Sequence, residues 1–197
     1  HGTGTIRLRL HPDEGGSPAF ARWREAGADG LLDGRVRLDG DNVDVEVRIH
    51  ETATGDLAFA RGYNSPAASL RPLAHTIANE ILRVQAGIEG IARSRLAFVS
   101  DRGGTRRELG GMLRRFKEIY VSDYDGENQR RVTFDGDLDM TPTWAPDGSA
   151  VAYTSFRRGF QDVFVWRPDE ARVGDPTRGR VDSPTRGRGK NWLPAWS

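Results

Sequence analysis

Val43, Val45, Val47 and Ile49 alternate with Asp44, Glu46, Arg48 and His50, and Ile6, Leu8 and Leu10 alternate with Arg7 and Arg9. A period of two sets one side of each segment against a core and the other in water, which predicts strands. Gly30 to Leu38, Val43 to Glu51 and Leu57 to Tyr63 read as three consecutive strands. Asp39-Gly-Asp-Asn42 and Thr54-Gly-Asp56 supply the hairpin turns between them. Around this block the period lengthens. Ser17-Pro18 predicts a helix start for Phe20 to Ala26, with Trp23 inward and Gly27 as the stop. After Ser69, apolar residues at Leu70, Leu73, Ile77, Ile81, Val84 and Ile88 fall three or four apart and mark one stripe of a longer helix. The expectation for residues 1–90 is a small mixed sheet with two helices on one face.

From residue 91 onward the pattern repeats itself. Thr141-Pro-Thr-Trp-Ala-Pro-Asp-Gly148 begins again as Leu193-Pro-Ala-Trp-Ser197, and Arg95-Leu-Ala-Phe-Val-Ser100 reads like Ala150-Val-Ala-Tyr-Thr-Ser155. Glu118-Ile-Tyr-Val-Ser-Asp123 likewise matches Asp162-Val-Phe-Val-Trp-Arg167. Tyr120 and Phe164 are 44 residues apart and Trp144 and Trp196 are 52 apart, periods that suit propeller blades of four short strands. The strands of one copy are Thr143-Trp144, Ala150 to Ser155, Asp162 to Trp166 and, from the preceding copy, Gln129 to Phe134. Phe98 to Tyr153 is longer, at 55 residues, so an insertion lies at Thr105 to Lys117. Residues 91–197 hold three strands of one blade, one whole blade and the opening strand of another, so more chain is expected after Ser197. A start at His1 rather than methionine likewise suggests an internal fragment.

Composition, at 37% hydrophobic and 29% charged residues, allows one large or two small globular domains. The absence of cysteine excludes disulfides, thiolate metal sites and a cysteine nucleophile. No apolar run approaches the roughly 20 residues of a membrane span. Charge is uneven, because the first ninety residues are acidic on balance and the remainder basic. His50-Glu51 begins like a zinc-protease helix, yet position 54 is threonine and the surroundings are strand. Gly2 and Gly4 lack the third glycine of a dinucleotide loop, and no Gly-x-Ser-x-Gly elbow occurs. His75 reads as structural. Asp123, Asp125, Asp137 and Asp139 do not have the spacing of a twelve-residue calcium loop, and turn formation is their expected role. The echo of Asp175-Pro-Thr-Arg-Gly-Arg180 in Ser183-Pro-Thr-Arg-Gly-Arg188 lacks interleaved aromatics, so solvated surface is preferred to RNA binding. No catalytic residue, cofactor or metal is expected.

Trp23-Arg24 with Gly27-Ala-Asp29, Gly34, the strand Val43 to Ile49, and Ala74-His75 through Ile77 and Ile81 resemble the N-terminal domain of the TolB family. Gly90 followed by Arg95 to Ser100 resembles that family's passage into its propeller, and Glu118 to Gly126 with Pro142 to Gly148 resembles its blade motif. The blade motif alone also occurs in peptidase propellers; its coupling to this N-terminal domain is the specific feature. The resemblance implies a two-domain fold, a small mixed α/β N-terminal domain (1–90) followed by an incomplete β-propeller (91–197). It also implies a non-catalytic periplasmic scaffold of the Tol-Pal system that binds the peptidoglycan-associated lipoprotein Pal and supports the outer membrane at division. The family's contact with TolA runs through an N-terminal extension that has no counterpart here, and no nucleic-acid partner is implied. The insertion at Thr105 to Lys117 departs from the family.

Strands that alternate up and down put the Asp125-Gly126 and Pro146-Asp-Gly148 turns on one face. On the other lie Asp135 to Met140, Lys190 to Leu193, Asp101 to Lys117 and Phe156 to Gln161. These loops vary in length and charge, so the second face is the expected docking surface, with Asp137, Asp139, Met140, Arg157, Arg158, Asn191 and Trp192 as candidate contacts. Trp144 and Trp196 are expected in blade cores instead. Two other readings stay open: the propeller of a larger peptidase or amidohydrolase, and a general extracytoplasmic interaction propeller. The blades present would leave a face and edges uncovered, which favours self-association or partial disorder.

Overall fold

The computed structural model describes residues 5–8, 20–103, 106–168, 179–185 and 189–197. The helix start at Ser17-Pro18, Gly2, Gly4, Arg9, Leu10 and most of the arginine-glycine echo lie outside the described residues. The chain separates into two compact units, His1–Gly90 and Ile91–Ser197.

In the first unit, β1 (Thr5–Leu8), β2 (Ala28–Asp39), β3 (Asn42–Glu51) and β4 (Leu57–Pro66) form one sheet in sequence order. β1 runs parallel to β2, and the other pairs are antiparallel. The β2–β3 hairpin closes through Gly40, whose φ of 59° needs a residue without a Cβ. The alternation read from the sequence holds, because Val43, Val47 and Ile49 are buried on one face of β3. α2 (Leu70–Ala86) covers that face, with Glu80 meeting Arg61 and Tyr63 of β4. It ends at Gly87 in the left-handed conformation, one residue before Ile88 of the expected stripe.

The two helices do not share a face, contrary to the sequence reading. α1 (Phe20–Glu25) brings Phe20 to 5.5 Å from His50, and His50 lies beside Asp33 on the opposite side of the sheet. Opposite Ile49 and His50 the β4 strand carries one extra residue, Ala58, between Leu57 and Phe59.

Among the described residues, the second unit is built from short antiparallel strands in three open sheets. β5 (Arg95–Ser100), β8 (Glu118–Asp123) and β9 (Arg130–Arg131) make the first, and β10 (Asp139–Trp144), β11 (Val151–Ser155), β12 (Asp162–Pro168) and β13 (Gly179–Asp182) the second. Between β5 and β8, β6 (Arg106–Leu109) and β7 (Met112–Arg115) form a separate hairpin. Ile119, Val121, Val132, Val151, Tyr153, Phe164 and Trp166 make one core that joins the first two sheets. Trp144 packs on that core and stands edge-on to Trp166 at 6.5 Å. Trp196 packs on a smaller cluster of Ala145, Ala150, Ala152 and Val165, and its indole nitrogen donates to the Thr143 carbonyl at 3.1 Å. Both tryptophans therefore serve packing.

The sequence repeat is also a repeat of contacts. Phe98 stacks on Tyr120 at 5.8 Å as Tyr153 stacks on Phe164 at 6.0 Å. An arginine covers each pair, Arg102 over Tyr120 at 4.3 Å and Arg157 over Phe164 at 3.6 Å. Two expectations need correction. The fourth strand of the first blade is only Arg130–Arg131, because the Ile119 amide donates to the Thr133 hydroxyl instead of to a backbone carbonyl and the ladder stops there. The opening strand of the second blade starts at Asp139, so Asp139 and Met140 belong to strand rather than loop.

Gly179 sets the approach of β13 to β12, since a Cβ there would overlap the Trp166 indole nitrogen and the Arg167 carbonyl oxygen. Gly179→Ala should lower stability by about 1–3 kcal/mol, the usual result of overpacking, read as a shifted urea midpoint with an unchanged slope.

Candidate functional site

The end of the second unit where β10 begins, β11 finishes and β12 starts gathers most of the expected contact residues. Its geometry follows from a kink. Thr141 has φ of 53° and Leu193 has φ of 55°, each directly before a proline. A proline disfavours the right-handed helical region for the residue before it, and a left-handed β-branched threonine is held only by surrounding contacts. The kink breaks the β10–β11 register between Met140 and Thr143. It recurs where Asn191-Trp192-Leu193-Pro194 repeats Asp139-Met140-Thr141-Pro142.

The anchors repeat with it. The Asp139 amide donates to the Lys117 carbonyl at 2.8 Å, and the Asn191 amide donates to the Gln161 carbonyl at 3.1 Å. Lys117 and Gln161 each precede the buried acid that opens a third strand, Glu118 or Asp162. Each blade's first strand is thus tied to the preceding blade's third. Leu193 adds an amide contact to the Thr154 hydroxyl at 3.2 Å. This fixes the position of Trp192, which remains 67% exposed.

Around Trp192 the remaining residues divide into presented and committed groups. Arg157 reaches Asp135 at 3.6 Å and donates to the Tyr153 hydroxyl at 3.1 Å. Arg158 pairs with Asp162 at 2.6 Å and donates to Ser183 at 3.1 Å. Burial alone would raise the Asp162 carboxyl, but Thr185, Ser183, the Val163 amide and Arg158 together hold it below the usual range. Asp137 and Met140 are half-buried. Asp139 is fully buried, so it is a core residue and offers a partner no side-chain surface. Burial pushes its carboxyl up to about 7; the neighbouring Ser155 and Thr133 hydroxyls and Arg157 temper the rise, and Asp135 adds to it. Neither oxygen has an aligned hydrogen-bond partner.

Among the described residues, no three His, Cys, Asp or Glu side chains are placed to hold a metal. In the first unit, a groove of about 590 Å³ over Gly62 is lined by Arg35, Arg37, Asp44, Glu46 and Asn64. Its charges alternate across adjacent strands, as in a solvated ladder of ion pairs. No helix among the described residues is long and apolar enough to cross a membrane.

No family model matches the chain. Curated relatives do. The Tol-Pal system protein TolB of Nitrosococcus oceani is 34% identical over 156 residues, which cover 79% of this chain and 34% of that protein. The same protein of Geobacter sulfurreducens is 34% identical over 147 residues, 71% of this chain and 32% of that one. Both matches are longer than either compact unit, so each runs across both. The matched stretch belongs to the TolB family. The chain spans about a third of the length of these TolB relatives. A crystal structure of TolB from Acinetobacter baumannii superposes with a TM-score of 0.64 over 87% of this chain and 42% of that one. At 19% identity this likeness speaks for the fold, an incomplete propeller-like TolB arrangement of open sheets.

Sequence reasoning reached Trp192 through its place in a loop and missed the kink that presents it. The signal was available in the alignment of Met140 with Trp192, two residues before the conserved Pro-x-Trp of each copy.

Proposed function

We propose that residues 1–90 are the N-terminal α/β domain, and residues 91–197 the first blades, of a non-catalytic periplasmic scaffold of the Tol-Pal kind. It works without cofactor or metal and supports outer-membrane integrity and envelope constriction at division. A Pal-like peptidoglycan-associated lipoprotein docks at the kinked ends of the blades, and other Tol proteins engage it elsewhere. The observation that carries this reading is the match to TolB relatives across both units, the coupling that separates this family from other propellers.

Trp192 is the anchor of the docking surface, with Asp137, Met140, Arg157, Arg158 and Asn191 around it. An exposed indole next to a backbone amide held by the Thr154 hydroxyl is the kind of aromatic residue that serves as a binding hot spot. Asp139 supports the strand beneath. The test is capture of the whole natural protein carrying these residues by its organism's Pal-like lipoprotein. Saturable binding at micromolar concentration or tighter is expected, with Asp137→Arg and Trp192→Ala together weakening it at least about tenfold. No binding by a well-folded protein would overturn the Tol-Pal reading. Undiminished binding by the double variant would move the docking surface elsewhere.

A further inference from the structure

The insertion between β5 and β8 is a second, separate interaction element. Among the described residues β6 and β7 pair only with each other, turning through Gly110 and Gly111 at φ of 61° and 76°. Two successive positive angles are the two-residue hairpin turn that matches strand twist. The register sets Arg106 opposite Arg115 and Arg107 opposite Arg114. Like charges directly across a strand pair destabilise it, and a lone two-stranded hairpin is marginal in water even without that burden. The corresponding connection in the second blade, residues 156–161, is a short turn, so the blade does not require the hairpin.

The order of residues along the hairpin identifies its partner. The arginines occupy the first two levels of the register; beyond them Leu113 stands opposite Glu108 and Met112 opposite Leu109, with Met112 and Leu113 59% and 64% exposed at the tip. One strand residue advances about 3.4 Å, so the apolar tip stands about 7 Å beyond the basic level. A bilayer has the complementary order, anionic headgroups outside and acyl chains about that much deeper. An acidic polypeptide would neutralise the arginines and leave Met112 and Leu113 in water. Thr105 to Lys117 has one aromatic residue, Phe116, and it lies half-buried after the hairpin rather than on it, so the hairpin offers no ring on which a nucleic-acid base could stack.

We propose that the β6–β7 hairpin is a peripheral membrane-docking finger, with Met112 and Leu113 entering the headgroup boundary of an anionic phospholipid surface and Arg106 and Arg115 held among the phosphates. This element does not depend on the Tol-Pal reading, since its ligand is lipid rather than lipoprotein.

Co-sedimentation of the 197-residue chain with vesicles tests it. Binding is expected to 3:1 phosphatidylethanolamine:phosphatidylglycerol vesicles, and little to pure phosphatidylcholine. Arg106→Gln with Arg115→Gln should weaken partitioning about 25-fold, at about fivefold per basic residue. Met112→Ser with Leu113→Ser should also weaken it, whereas Arg93→Gln with Lys190→Gln, the same charge change at other exposed positions, should leave it within about twofold. All substituted side chains are exposed, and matched circular dichroism spectra confirm that the variants fold. Three outcomes would each overturn the proposal: no sedimentation with anionic vesicles, equal losses in both charge variants, or tight binding of soluble polyglutamate that the Met112 and Leu113 changes leave intact. The last would identify an acidic polypeptide as the partner instead.

Discussion

Trp166→Ala should unfold the second unit at 25 °C or bring it close to unfolding, with a loss of about 3–5 kcal/mol. Trp166 has no exposed surface and lies where the two main sheets of that unit meet. Its ring faces the edge of Trp144 at 6.5 Å and carries the Arg130 guanidinium 5.9 Å away. Removing the indole leaves a cavity bounded by strands that cannot collapse into it, because β12 is paired on both sides, to β11 and to β13. Total stabilities of small domains run to about 5–15 kcal/mol, so the loss is a large share of what holds the blades. Trp192→Ala supplies the contrast. Its side chain is 67% exposed, and its loss should change stability by no more than about 0.5 kcal/mol. Urea titration followed by far-ultraviolet circular dichroism distinguishes the two. Equal effects would mean that Trp166 is not the keystone its burial indicates.

What the sequence disclosed was governed by whether a local pattern or a distant neighbour sets the structure. Val43 to Ile49 and Val151 to Ser155 are strands because alternation and β-branching act within a few residues, and both were legible. The stripe from Leu73 to Val84 was legible for the same reason. Which face each helix covers was not. That depends on contacts between residues distant in sequence, Phe20 with His50 for the first helix and Glu80 with Arg61 and Tyr63 for the second. Asp139 shows the limit most clearly. An aspartate in Asp135-Gly-Asp-Leu-Asp139 reads as loop by composition, yet its backbone amide donates a hydrogen bond to the carbonyl of Lys117, distant in sequence, and its side chain lies in the core. The β6–β7 hairpin was hidden by its charge, although Gly110-Gly111 between Leu109 and Met112 carried a turn signature. Of the candidate contacts, Trp192 was recognisable from its position alone; the pairing of Arg158 with Asp162 and of Arg157 with Asp135 had to be seen in three dimensions.

The second unit should be more stable at pH 6 than at pH 8, and Asp139 is the main reason. Its carboxyl ionises at 3.8 when unfolded and at about 7 when folded, because burial penalises the charge more than Ser155, Thr133 and Arg157 relieve it. A folded value above the unfolded one means that the stabilising contribution is complete below about pH 4. It is then lost as pH rises and the unfolded chain ionises first, until the folded carboxyl also ionises near pH 7. Across that window the loss amounts to about 4 kcal/mol, at about 1.4 kcal/mol per pH unit. Glu118, raised by burial against the pull of Arg131, acts in the same direction. Asp162, held below its usual value, acts in the opposite one and only at more acid pH. Asp139→Asn keeps the shape and removes the charge, so urea midpoints measured from pH 5.5 to 8 should fall in the parent chain and stay nearly level in the variant. Four of the five tryptophans lie in the second unit, which makes indole fluorescence a suitable probe. Parallel slopes in the two proteins would show that Asp139 does not titrate in this range, and that its carboxylate is accommodated by water or a cation at the blade end.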